Sequence, residues 1–243
     1  LDTDGWFLLA SGREVVESGI PTTNPFTAVE GQGIVLQQWL HDAWLYLCWK
    51  VAGYTGVAVS VAIPAALALC TYTGAVCRLA RVPRHPWVPL LIGALGFSLM
   101  ASYLSIRPSI WTAALLFVAI SICLEWRHSA NPRCLLALPI VSLLSVNLQA
   151  ALWPLPTAAA ACFLLPDKDE ISTQAIAKTL RAWWRSRLPL LAAVAGMAAE
   201  SLVNPYCIDG SLYVLRSLGA ASYGGVILEL NPVWVMPAAA LFW

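Results

Sequence analysis

Two carboxylates open the chain two residues apart, Asp2 and Asp4, in the run Leu1-Asp2-Thr3-Asp4-Gly5-Trp6. A carboxylate can take a proton from a reacting hydroxyl, and two together can hold a cation. The pair is therefore a candidate base or cation site, weighed against the ordinary reading of solvated acids at a helix end. Further polar groups stand where apolar runs begin or stop: Arg107 before Pro108, Asn147 and Gln149 inside an apolar stretch, Asn204 before Pro205-Tyr206, and Glu229 before Leu230-Asn231-Pro232. Ionisable groups at a membrane boundary are costly and often functional. For Arg107 the competing reading is snorkelling to headgroups. The three histidines, His41, His85 and His128, are scattered. His41 falls in an amphipathic stretch and is expected at its surface. The sequence has no G-x-x-x-x-G-K-[ST], H-E-x-x-H or G-x-S-x-G, so phosphate-loop, zincin and serine-hydrolase chemistry have no motif here. Seven cysteines lie mostly in or beside apolar runs, without C-x-x-C spacing. They read as packing residues rather than a metal or disulfide framework.

The elements that must position these groups follow from composition. Apolar residues make up 59% of the 243 and charged residues 11%, with a mean hydropathy of +0.71. A soluble domain carries about twice that share of charge, and its surface could not hide so much apolar area. The predicted fold class is all-α: a polytopic transmembrane helical bundle with interfacial amphipathic helices. Residues 1–53 read as a first external loop with such helices, and 54–243 as the bundle. Apolar runs predict spans near 54–77, 87–106, 108–124, 134–146, 150–165, 188–203 and 233–243, the last cut short. The pair 134–146 and 150–165 reads as a helical hairpin with Asn147 and Gln149 at its tip. Two amphipathic stretches predict surface helices, 38–51 outside and the basic 170–187 inside. A further helix is expected before Leu1 and several after Trp243.

Alternation of these spans sorts the charges. One side receives Arg78, Arg81, Arg84, Arg127, Arg133, Lys168, Lys178, Arg181, Arg185 and Arg187, ten of the 14 Lys and Arg. The other receives Arg13, Lys50, Arg107 and Arg216, together with most of the acids. Basic residues mark the cytoplasmic side. Asp2, Asp4, Arg107, Asn147, Gln149, Asn204 and Glu229 then all belong to the outer face.

This order of features resembles the GT-C superfamily of polytopic glycosyltransferases. The resemblance is carried by D-T-D-G-W-F-L-L-A-S-G-R-E-V-V-E-S-G-I-P at residues 2–21, N-P-F at 24–26 and Q-Q-W-L at 37–40. It continues through R-P at 107–108, V-N-L-Q at 146–149, N-P-Y at 204–206 and E-L-N-P at 229–232, and covers nearly the whole chain. It implies an enzyme that takes a sugar from a polyprenyl-phosphate carrier at the outer face of a bacterial cytoplasmic membrane. By resemblance, the essential acid of the first external loop falls to Asp4, with Asp2 second. Arg107 or Arg13 would answer the departing phosphate, and Asn147, Gln149, Asn204 and Glu229 would line the substrate. The implied partners are the lipid-linked sugar and membrane lipid, with no nucleic acid. A divalent cation is the candidate cofactor. In one departure, relatives often carry His where this chain has Gln149, a side chain that exchanges no proton. A non-catalytic protein of the same architecture is the alternative. A transporter would show mid-span charge and repeated broken helices, and only Glu200 approaches mid-span charge.

Overall fold

The computed structural model describes residues 3–80, 87–100, 105–165, 176–213 and 215. It is mostly helical, and among the described residues the only β-type pairing is a bridge between Thr23 and Gly33. Helix α1 (Thr3–Glu17) starts with Asp4 in its first turn, where a carboxylate complements the helix dipole. Its Leu8 and Leu9 pack with Leu45, Val57, Trp49 and Ile106.

Helix α2 (Trp39–Leu79) has 41 residues. A straight helix of that length would reach about 60 Å, twice a hydrocarbon core of about 30 Å. It is broken instead. Ala52 and Gly53 leave helical geometry, and Gly53 takes φ +56° and ψ −134°, a conformation that suits a residue without Cβ. The break separates a leading arm, 39–51, from a trailing arm, 54–79. A Cβ on Gly56 would overlap the Cys48 carbonyl, so the arms cross closely just past the break. Edge-to-face contacts join Trp6 to Trp49 at 6.0 Å and Trp49 to Tyr54 at 4.9 Å.

Helix α3 (Trp87–Met100) packs on the trailing arm, with Gly96 against the Tyr72 ring. Helix α4 (Ser109–Ser129) ends at Ala130, left-handed at φ 54°, and Asn131 then caps a 3-10 turn, Pro132–Leu136. Helices α5 (Ala137–Leu148), α6 (Pro154–Cys162), α7 (Ile176–Glu200) and the short α8 (Ile208–Ser211) follow. The main core joins α4 (Leu115, Ala119, Cys123, Trp126) to Leu138 and Val141 of α5 and Leu190 and Met197 of α7.

Several long-range polar contacts gather at two opposite ends of the helices, while Ser142 with Met197 and Ser121 with Thr71 join helices between them. One end holds Asp4 with Arg107, Trp39 with Asn147, Thr112 with Gln149, Asn147 with Val203, and Tyr206 with Pro21. The other holds Arg78 with Glu125, and Arg127 with the Phe163 carbonyl. The charged residues that meet at each end are ones that the alternation of apolar runs groups together.

Among the described residues two helices, α2 and α4, are long and apolar enough to cross a membrane, yet only 28% and 44% of their most apolar stretches are buried in the protein. Val59, Ile63 and Leu67 of α2 and Leu90, Leu91, Leu95 and Phe97 of α3 are exposed.

The structure departs from the sequence reading in three places. The hairpin forms, with α5 ending at Leu148 and α6 starting at Pro154, but α6 is only 9 residues long, about 14 Å. Its apolar continuation goes into turns rather than helix. Second, 170–187 and 188–203 are not separate helices, because α7 runs unbroken from Ile176 to Glu200 with Pro189 inside. The change from basic to apolar residues alters what the helix faces, but it removes no backbone bond. Pro189 removes one donor and its ring crowds the carbonyl four residues back, a cost that can kink a helix, yet the helix continues past it. Third, His41 is not a surface residue: it is 2% exposed and Asp42 is 0% exposed. The leading arm turns its polar pair and Leu45 inward, while Leu47 and Val51 of its predicted apolar stripe are 46% and 87% exposed. The outward apolar side is what an interfacial helix would offer to lipid. The predicted span at 233–243 lies outside the described residues.

Candidate functional site

The site is built around an ion pair between residues 103 positions apart in sequence. Arg107 Nη2 donates to Asp4 Oδ2 at 2.7 Å. Asp4 is presented by the first turn of α1, and Arg107 by the turn that leads through Pro108 into α4. Both side chains are about half exposed, 56% and 45%, so the pair meets solvent.

Beneath it lies a layer that fixes both partners. Gly12 of α1 sits so close to α2 that a Cβ would overlap the Asp42 carbonyl. One residue before Asp42, His41 Nε2 lies 2.7 Å from the carbonyl oxygen of Ile106, the residue preceding Arg107. A carbonyl only accepts, so Nε2 carries the proton and Nδ1 is the bare nitrogen. Burial lowers the imidazole to about 4, the Ile106 hydrogen bond opposing it. Burial also pushes the Asp42 carboxyl well above its usual range, with the Gln38 side chain pulling it back. Neither Asp42 oxygen has a donor at hydrogen-bonding geometry among the described residues, and Ser11 Oγ and His41 Nδ1 are likewise buried without a partner. An ionised carboxylate in such surroundings is strongly disfavoured. This layer escapes sequence reasoning. Its one signal is a His-Asp dipeptide in an apolar helix, and that signal does not say which way the dipeptide faces.

The other expected residues have different surroundings. Gln149 caps α5, and its Oε1 accepts from Thr112 Oγ1 at 2.6 Å. Thr112 is five residues past Arg107, about 7 Å of helix rise, so Gln149 borders the ion pair's end of α4. Asn147 accepts from Trp39 Nε1 at 2.9 Å and donates to the Leu143 and Val203 carbonyls at 2.8 and 2.9 Å. Those bonds tie α2, α5 and the chain after α7 together. Asn204 folds the following turn, its Nδ2 on the Ser201 and Cys207 carbonyls and its Oδ1 on the Tyr206 N–H. Arg13 is not part of the pair. Nine residues beyond Asp4 on a helix of 3.6 residues per turn, it is on the opposite face of α1. Its charge instead acts on the exposed Tyr46 phenol, which donates to Glu17 at 2.5 Å and is held above its usual range first by that bond. Asp2 and Glu229 lie outside the described residues.

An apolar groove of about 720 Å³ opens at the same end, lined by Trp39, Leu40, Leu143, Leu144, Leu202 and Val203 among others. Among the described residues no three His, Cys, Asp or Glu side chains come together as a metal site. The arrangement therefore offers one guanidinium and one carboxylate at a half-exposed position next to a buried polar layer, with an apolar groove at the same end of the helices. A guanidinium carries five N–H donors in a planar fork suited to phosphate oxygens, and a carboxylate can accept a proton. No family model, curated protein or solved structure matches the chain.

Proposed function

We propose that this chain belongs to a multi-pass membrane glycosyltransferase that moves a sugar from a polyprenyl-phosphate carrier to an acceptor hydroxyl at the outer face. The observation that carries the reading is the Asp4–Arg107 pair at 2.7 Å: a base and an anion-binding group meet at one open mouth. Membrane residence is supported by composition and by the apolar faces of α2 and α3 left uncovered, since a soluble protein rarely exposes a large contiguous apolar patch. Multiple crossings are supported by the agreement between the charge alternation and the two ends at which polar contacts gather.

In this reaction the acceptor oxygen attacks the anomeric carbon of the sugar. The bond from that carbon to the carrier's phosphate oxygen breaks, and its electron pair leaves with the phosphate. Asp4 receives the acceptor's proton. Arg107 meets the phosphate's charge as it develops, where an oriented donor is most effective. The exposed Asp4–Arg107 bond does not stand in the way, because exposed ion pairs contribute at most about 1 kcal/mol. The apolar groove offers a path for the carrier's hydrocarbon chain. No step in this scheme needs a divalent cation.

Sugar transfer by the purified full-length protein in nanodiscs tests the reading. Asp4→Asn keeps the shape but cannot take a proton, so turnover should fall about 10²–10⁴-fold while carrier binding survives. Near-normal turnover would remove Asp4 from the mechanism.

Gln149 favours a second reading, a non-catalytic protein of the same architecture. Its Oε1 is engaged by Thr112, and its amide exchanges no proton. Absence of transfer by the wild type with every polyprenyl-phosphate sugar tried would select that reading.

A further inference from the structure

His41 enters none of the chemistry above, yet it is almost fully buried at 2% exposure and makes a long-range bond to the backbone beside Arg107. The Nε2–H reaches the Ile106 carbonyl at 2.7 Å, and the Ile106 side chain packs on the cluster of Leu8, Leu9, Leu45 and Val57. The peptide leading into Arg107 is thus held from both its carbonyl and its side chain. The partner acid is fixed from the next residue, since α1 sits on the Asp42 carbonyl through Gly12. Adjacent positions in the leading arm of α2 therefore set the two halves of the ion pair.

We propose that His41 is a positioning residue that fixes the turn at 105–108 and so aims the Arg107 guanidinium at a phosphate at the outer mouth. The proposal rests on the reading that Arg107 receives the carrier phosphate. A buried histidine that only satisfies the core would affect stability alone. One that aims Arg107 affects phosphate affinity, and does so only while Arg107 is present.

The test measures the dissociation constant of a polyprenyl phosphate for the full-length protein in nanodiscs, on folded material isolated by gel filtration. Arg107→Ala should weaken binding about tenfold or more, as loss of a charge-assisted bond does. His41→Leu removes the donor and should weaken it about threefold to tenfold, the range of one neutral hydrogen bond. His41→Gln, whose amide N–H can reach the same carbonyl, should recover most of that loss. The double variant His41→Leu/Arg107→Ala should bind no more weakly than Arg107→Ala, because groups acting through one contact are not additive. Should His41→Leu fail to fold, the flexible apolar His41→Met takes its place. Unchanged affinity in His41→Leu beside a loss in Arg107→Ala overturns the His41 proposal alone, as does additivity in the double variant or failure of Gln to rescue. Unchanged affinity in Arg107→Ala removes the phosphate reading and the His41 proposal with it.

Discussion

Asp42 and His41 should give the protein two pH dependences of opposite sign that oppose each other in the wild type. The His41 imidazole stands at about 4 in the folded chain against 6.5 when unfolded. Between those values the unfolded state holds a proton that the folded state lacks. Stability then rises with pH by about 1.4 kcal/mol per unit. Over that window of roughly 2.5 units this amounts to about 3 kcal/mol, lost again as the pH falls towards 4. The Asp42 carboxyl is raised well above 3.8 by burial, so above that value the folded state holds the extra proton. Its contribution is full below the unfolded value and falls as pH rises, with the same slope, up to its folded value. The two slopes oppose each other above about pH 4, for as long as both groups are titrating. Asp42→Asn should expose the His41 slope, so that stability climbs from pH 4 to 6.5 and then levels. His41→Gln should expose the Asp42 slope, so that stability falls as pH rises above about 4. The measurement is reversible unfolding in mixed micelles at half-unit pH steps, read as the difference between each variant and the wild type, which removes titrations common to both. Difference curves flat with pH for both variants would refute the assignment of buried neutral groups. A slope of the wrong sign in either would refute that group's assignment.

Two further outcomes follow from the packing and the sidedness. Gly12→Ala should cost about 1–3 kcal/mol, the usual range for forcing extra volume into a close contact. It should also loosen Asp4 from Arg107, because the new Cβ meets backbone rather than a movable side chain; an unchanged thermal midpoint would show that α1 does not seat on Asp42. In a background without native cysteines, Thr22→Cys should react with an impermeant maleimide in whole cells and His128→Cys should not. The reverse pattern would invert the orientation.

Much of the arrangement is legible in sequence because it depends on counting. Alternating apolar runs place Asp4 and Arg107, 103 residues apart, on one side, and in the structure they meet. Asn147 and Gln149 stand at the tip of a helical hairpin, as the polar interruption at 147–149 suggests. Sequence alone leaves Arg13 alongside Arg107 as a phosphate-binding group, and only the helix Thr3–Glu17 shows it nine steps round from Asp4, on the opposite face. What counting cannot supply is which side of a helix faces inward. Periodicity identifies a stripe of Leu40, Trp44, Leu47 and Val51 and an opposite face carrying His41, Asp42 and Leu45. In water the apolar stripe would turn inward. At a lipid boundary it can turn outward, and the same pattern then leaves a histidine and an acid in the interior. The choice is made at a distance, by a contact that no local pattern encodes. Gly12 lets α1 approach the Asp42 carbonyl, and Leu8 and Leu9 then cover Leu45. Once α1 occupies that face, the polar pair beneath it is enclosed, His41 finds the Ile106 carbonyl, and Arg107 is brought opposite Asp4. One missing methyl at position 12 thus connects a residue absent from every chemical motif to the geometry of the Asp4–Arg107 pair.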